Sequence, residues 1–318
     1  MSTLKRLLAA ATAASLLLAG LASPAAAQEK VRLLLDWFVN PDHAALVIAR
    51  ERGFFTKQGL DVELIAPADP NAPPKLVAAG QAEYAVSYQP TLQMLVAEGL
   101  PLVRVGVLVA QPLNALVALE NGPVKTIADL KGRKIGYSIA GFEEALLAAM
   151  LETAGLTIKD VTLVNVNFAL TTALMSKQVD GVIGAFRNFE LNDLALHRAA
   201  GRLWPVEQYG VPMYDELVLV AGRDKLDVPR TKKLLAALAE STAWLKANGE
   251  EAWGVFSRSG KELDSTLNRM AWKDTLPLLA ADPSALDRAR YTAFADFLVK
   301  RGLIKQAPPL DSYLREIR

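Results

Sequence analysis

Residues 31–59 read VRLLLDWFVNPDHAALVIARERGFFTKQG. The apolar run at its start has the length and composition of a buried strand. Asn40 and Pro41 then turn the chain sharply. From His43 onward the apolar residues follow a helical period, which Gly59 ends as a left-handed cap, so one helix is expected over residues 43–59. Trp37, Asn40 and His43 stand between the two, at the carboxyl end of the strand. A strand that hands over to a helix in this way is half of a β-α-β unit.

The pattern recurs along the chain. LDVELIAP, AEYAVSY and PLVRVGVLV read as strands, with PPKLVAAGQ and TLQMLVAEG between them as helices. A second unit repeats the scheme. TIADLKGRKIGYS holds a short helix and a strand, and GFEEALLAAMLETAG is a helix ended by Gly155. VTLVNVN, LTTALMSKQ, VDGVIGAF and ELNDLALHRAAG then alternate strand and helix. After YDELVLVAG the pattern is almost wholly helical over residues 230–301. This alternation predicts an α/β fold of two lobes with mixed, mostly parallel sheets and helices on both faces. The first lobe is expected over residues 30–112 plus 219–318 and the second over 113–218, with hinges near 111–121 and 211–222.

The first 27 residues stand apart. Lys5 and Arg6 precede an apolar stretch that ends in Ala25, Ala26 and Ala27, the pattern of a cleavable export signal. Thr12, Ser15, Gly20 and Pro24 interrupt the stretch, which argues against a membrane anchor. Cleavage after Ala27 leaves a chain beginning at Gln28, expected in the periplasm as a soluble monomer. Its formal charge goes from +1 to −1 on losing two basic residues and no acidic ones. A near-neutral surface argues against nucleic-acid partners. The sequence has no Cys, which excludes disulfides, thiolate nucleophiles and Cys-ligated metals.

In open parallel sheets, ligands bind in the crevice beyond the carboxyl ends of the strands. At those ends stand Trp37, Asn40 and His43; Ser87, Tyr88 and Gln89; Ser138, Gly141, Phe142 and Glu143; Phe186, Asn188 and Glu190; and Tyr214 with Glu216. Aromatic faces stack on a flat ligand, while a few polar groups fix its orientation. Each residue also has a plainer explanation. Trp37 suits a core position, His43 a helix cap, and Glu190 the positive end of a helix dipole.

Catalytic and metal-binding patterns are poor. The two histidines are His43 and His197, and His197 falls on a helix surface. There is no G-x-S-x-G, H-E-x-x-H, Walker loop or G-x-G-x-x-G after a strand. Glu143 and Glu144 sit on neighbouring helix faces and do not make an acid–base pair. No metal or cofactor is expected.

Four stretches carry a resemblance: LDWFVNPDHAALVIARERGFFTKQGLDVEL, IADLKGRKIGYSIAGFEEALL, QVDGVIGAFRNFELNDL and YGVPMYDELVLVA. They resemble the substrate-binding proteins of ABC importers, within the NMT1/THI5-like group related to fungal hydroxymethylpyrimidine phosphate synthase. The resemblance implies a type II periplasmic binding fold with a ligand cleft between its lobes and an inner-membrane permease as partner. It also implies a formylaminopyrimidine-like ligand, stacked by Trp37 with Tyr88 or Phe186 and read by Glu190. A carboxyl group can meet an exocyclic amine and the adjacent ring nitrogen together, given one shared proton. The fungal synthases carry a cysteine-rich run and reactive Lys and His residues. Here Cys is absent, and AVSYQPTLQML at 85–95 holds neither Lys nor His. A receptor, not an enzyme, is therefore expected. The rivals are the same fold with riboflavin, a sulfonate, nitrate or a nitrile-derived amide, and an exported pyrimidine hydrolase.

Overall fold

The computed structural model describes residues 28–317, so the export signal expected over 1–27 lies outside the described residues. The first strands are β1 (Glu29–Leu34), β2 (Leu60–Ile65), β3 (Tyr84–Ser87), β4 (Leu102–Val109) and β5 (Asn114–Leu119). They are followed by β6 (Lys134–Tyr137), β7 (Thr162–Asn165), β8 (Gly181–Phe186), β9 (Gly201–Pro205) and β10 (Leu217–Gly222). One sheet has the order β2-β1-β3-β10-β4, the other β7-β6-β8-β5-β9. The two orders match position by position. In each sheet three parallel strands come first, then a strand antiparallel to both its neighbours.

That antiparallel strand is the one that arrives from the other half of the chain. β4 leaves the first sheet and β5 follows at once in the second. β9 leaves the second, and β10 returns to the first. The crossing segments are thus residues 110–113 and 206–216. β5 falls inside the stretch expected as a hinge, and neither it nor β9 was legible as a strand. β10 begins at Leu217, two residues before the lobe boundary placed at 219.

Local chemistry explains the strands. In β1, Val31 and Leu33 are buried while Lys30 and Arg32 face solvent, and the buried pair lies in register with Val62 and Leu64 of β2. β4 is buried along its whole length although it ends the sheet order. Its free edge is covered by returning chain: Val107 N–H donates to the Pro283 carbonyl at 2.8 Å, and the Leu108 carbonyl accepts from Ala280 N–H at 2.7 Å.

The helix expected over 43–59 is instead broken. A 3-10 turn at Pro41–His43 leads into a helix at Ala44–Glu51, and a second short helix follows at Phe54–Lys57. Gly53 lies between them with φ 74°, a left-handed conformation that stops the first helix. The late helices return to the first sheet. The helix Val228–Ala247 packs on Ala44–Glu51, where Ser241 Oγ donates to the Ala45 carbonyl at 2.7 Å. The helix Thr266–Thr275 reaches further, to the end of the second sheet, where Thr275 and Asp274 receive the amides of Asn188 and Asn192.

The break at Gly53 is testable. A Cβ built there meets nothing within 4 Å, so Gly53→Ala would act through backbone strain alone. A loss of about 1 kcal/mol in urea unfolding is expected, the cost of left-handed backbone for a residue with a Cβ. Unchanged stability would mean that residues 44–57 can run on as one helix.

Candidate ligand-binding cleft

The site is built on the turn that ends β1. Asn40 caps the 3-10 turn: its Oδ1 accepts from Asp42 N–H at 2.8 Å, and its own N–H donates to His43 Nδ1 at 3.3 Å. That bond leaves Nε2 of His43 to donate to Asp36 Oδ1 at 2.9 Å. The other oxygen of Asp36 accepts from Tyr88 Oη at 2.8 Å. A buried carboxylate thus ties the end of β1 to the end of β3 and fixes the Tyr88 ring.

That ring begins an aromatic wall. Tyr88 stacks on Phe142 with centroids 5.5 Å apart and meets Phe186 edge-on at 6.5 Å. Trp37 stands against Phe168 at 4.5 Å in an edge arrangement, with Phe38 beside both. Between the two sheets lies a narrow cleft with about 480 Å³ of atom-free space, its mouth included.

Among the eleven residues expected at a ligand, Trp37, Asn40, His43, Tyr88, Phe142, Phe186 and Glu190 line this cleft. Four do not. Ser87 lines a neighbouring cavity. The amide of Asn188 reaches across, donating to Asp42 Oδ1 at 2.7 Å and Thr275 Oγ1 at 2.8 Å, while its own Oδ1 has no partner among the described residues. Tyr214 packs behind Phe142, with centroids 5.9 Å apart. Glu216 lies in the crossover, its Oε2 accepting from Leu113 N–H at 2.6 Å, Asn114 N–H at 2.9 Å and Tyr214 Oη at 2.9 Å. These two residues precede β10 in the second crossover, and Glu216 ties it to the first crossover and the start of β5. The polar atoms of Asn40 and His43 are likewise engaged within the chain.

The cleft also holds polar residues that the sequence reading overlooked or set aside. Asp36, Asp42, Asn114 and Glu143 line it together with Glu190. Glu143 Oε2 accepts from Ser138 N–H at 2.7 Å, and Glu190 Oε2 from Phe186 N–H at 2.6 Å. Gly184 makes room for Glu143: a Cβ there would fall 2.3 Å from the carboxylate. Among the described residues that line the cleft, two buried side-chain atoms lack a hydrogen-bond partner, Asp42 Oδ2 and Asn114 Nδ2. Unpaired buried polar atoms are costly, and a ligand that satisfies them gains accordingly.

No Lys or Arg lines this cleft. Arg187 is held in a bidentate pair with Glu207, at 2.8 Å for both bonds, and also donates to the Leu113 carbonyl at 3.2 Å. Burial without a cation pushes the carboxyl groups up: Asp42 to about 6, Glu143 and Glu190 each to about 8. Backbone N–H donors pull Glu143 and Glu190 partly back. At neutral pH these two glutamates hold their protons, so each presents both an O–H donor and a carbonyl acceptor.

The NMT1/THI5-like family profile matches residues 40–252. The chain belongs to the NMT1/THI5-like family. It is 53% identical over 295 residues to a Haemophilus influenzae protein named for thiamine biosynthesis, covering 92% of this chain and 94% of that one. It is 33% identical over 262 residues to the formylaminopyrimidine-binding protein of Halalkalibacterium halodurans, covering 81% of this chain and 79% of the relative. Family members named as enzymes match less well. The 4-amino-5-hydroxymethyl-2-methylpyrimidine phosphate synthase of Legionella pneumophila is 24% identical, over 83% of this chain and 86% of its own length. Among solved structures, the alkanesulfonate-binding protein SsuA of Xanthomonas axonopodis pv. citri, bound to MOPS, superposes with TM-score 0.73. That match covers 91% of this chain and 99% of the neighbour at 16% identity. The architecture of this NMT1/THI5-like chain is therefore that of periplasmic binding proteins, two mixed α/β sheets with a cleft between them.

The buried acids set a pH dependence. Folded Glu143 and Glu190 keep their protons up to about 8, whereas an ordinary Glu releases its own near 4.5. Between those values the folded chain binds more protons than the unfolded one, so stability falls as pH rises. The melting temperature of the unliganded protein is expected to drop from pH 5 to pH 8.5, and Glu143→Gln with Glu190→Gln to flatten that slope. An unchanged slope in the double variant would place the titration elsewhere.

Proposed function

We propose that the chain is the solute-binding component of an ABC importer that captures an aminopyrimidine precursor of thiamine. N-formyl-4-amino-5-aminomethyl-2-methylpyrimidine is the type of ligand in view. The observation that carries this reading is an aromatic cleft lined by Glu143 and Glu190 with no Lys or Arg, where burial pushes both carboxyl groups up to about 8. A 4-aminopyrimidine edge offers an amine donor beside a ring-nitrogen acceptor. A protonated Glu190 offers the complementary acceptor and donor in one plane, so the pair forms without burying a net charge. Tyr88, Phe142, Phe186 and Trp37 supply flat surfaces for the ring, and Asp42 Oδ2 and Asn114 Nδ2 can take further polar atoms of the ligand.

A sulfonate or nitrate would need donors or a cation where this cleft has acids, and Arg187 is occupied by Glu207. The name of the Halalkalibacterium relative, a formylaminopyrimidine-binding protein, favours a formylaminopyrimidine. Capture takes place in the periplasm, reached through the export signal at 1–27. The lobes, residues 30–112 with 219–318 and residues 113–218, close by hinge motion at the two crossovers. The closed form then docks on an inner-membrane permease as a monomer. No chemistry follows binding: a synthase of this family uses reactive Lys and His, and residues 85–95 hold neither.

The test is a thermal-shift and calorimetric titration with 4-aminopyrimidines, alongside mass spectrometry of small molecules released on denaturation. Glu190→Ala leaves the buried amine edge unpaired and is expected to weaken binding roughly 10- to 100-fold. Glu190→Gln keeps one donor and one acceptor in the same plane and is expected to retain more affinity than Glu190→Ala. Full stabilisation of the Ala variant would show that another carboxyl group reads the ligand. Turnover of the pyrimidine by the purified protein would sink the receptor reading.

A further inference from the structure

A second cavity adjoins the cleft and shares Asp36, Tyr88 and Ile139 with it. Its atom-free space, open mouth included, is about 840 Å³. Its inner wall is the start of the helix Gln89–Ala97. Ser87, the last residue of β3 and 1% exposed, and Thr91 in the first turn of that helix both line the space. Neither hydroxyl oxygen has a hydrogen-bond partner among the described residues. Buried hydroxyls are ordinarily satisfied, and two unpaired ones on residues that line the same cavity call for an explanation.

Helix geometry does not supply one. A Ser or Thr hydroxyl near a helix start usually caps a backbone N–H. Here Gln89 N–H is taken by the Asp215 carbonyl at 3.2 Å, Pro90 has no N–H, and the capping residue Tyr88 gives its hydroxyl to Asp36. The opposite rim is pinned across the cleft. Asn71 Nδ2 donates to the Ser138 carbonyl at 3.2 Å, and Asn71 Oδ1 accepts from Ala140 N–H at 3.0 Å. The space is thus walled by both halves of the molecule, like the cleft itself.

We infer that this second chamber receives the substituent carried by a ring seated in the cleft, and that Ser87 and Thr91 hydrogen-bond to it. The inference rests on the aminopyrimidine reading and extends it to the other end of the ligand. The substituent is uncharged. The charged residues at the chamber, besides Asp36, which is held by His43 and Tyr88, are Lys75 and Glu98, one of each sign and both exposed. That balance suits a hydroxyl or an amide better than a phosphate ester. Tyr88, held by Asp36, separates the ring-binding part from the tail-binding part, so specificity for ring and tail is set by different residues.

The experiment compares calorimetric affinities for four ligands: 4-amino-2,5-dimethylpyrimidine, which has no polar tail, and its 5-hydroxymethyl, 5-formylaminomethyl and 5-phosphooxymethyl analogues. The wild-type protein is expected to bind the hydroxymethyl and formylaminomethyl compounds about tenfold or more tighter than the dimethyl compound. The phosphate ester should bind no better than the hydroxymethyl compound. In Ser87→Ala with Thr91→Val the tail-dependent ratio is expected to collapse towards one, with circular dichroism confirming the fold. A ratio preserved in the double variant, or a phosphate ester that binds best, overturns the inference and leaves the ring reading intact. Failure of all four ligands to bind overturns the ring reading, and this inference with it.

Discussion

Burying several carboxyl groups in one place without a cation is the constraint on which the cleft depends. A charged carboxylate cannot be taken from water into an apolar space cheaply, so it is paired or it keeps its proton. Asp36 takes the first course, with donors from His43 and Tyr88. Glu143 and Glu190 take the second. Both courses shape the cleft. The paired acid fixes an aromatic ring, and the protonated acids become donors that a charged carboxylate could not be. A binding site for an uncharged amino-heterocycle needs this combination, and an anion site would need its opposite.

The same economy appears in the connection between the halves. Glu216 accepts the N–H groups of Leu113 and Asn114 on one crossover while sitting at the start of the strand that returns on the other. Burial pushes it up to about 7, and three donors oppose that shift. Asn114 is therefore held at both ends: its backbone by Glu216, and its side-chain oxygen by Gly184 N–H at 3.0 Å. Its free Nδ2 is left in the cleft. On the proposed reading, the first residue after the crossover thus offers a donor to the ligand, and a change of angle between the sheets would move it.

Much of the fold was legible because strand and helix periods differ and because Gly punctuates the helices. The break at Gly53 was missed because the apolar period on either side reads continuously. β5 was missed because NALVAL is a short apolar run between Pro112 and Asn121-Gly122-Pro123, and the whole stretch 111–121 reads as a crossing linker. The cleft was half legible. Aromatic residues at strand ends are visible in sequence, but their depth is not. Tyr214 and Glu216 follow the same pattern as Tyr88 and Glu190, yet lie one layer behind. Asp42 and Asn114 went unseen for the opposite reason: nothing in a sequence distinguishes a satisfied Asp or Asn from one left with an open atom. That distinction depends on which partners the other half of the chain brings within reach.

If the chain is the receptor proposed above, Asp42 lets ligand binding and lobe closure share one group. Its Oδ1 accepts from Asn188, which comes from the other sheet and is itself held on the helix Thr266–Thr275. Its Oδ2 is the atom left without a partner in the cleft. The carboxyl group therefore serves the interlobe contact with one oxygen and the cavity with the other. With Oδ2 unsatisfied, this arrangement carries the penalty of a desolvated acceptor, and on the proposed reading a donor on the ligand would remove that penalty without disturbing Asn188. A ligand can favour closure only through such a difference between states. One side chain bonded on both sides is an economical way to create it.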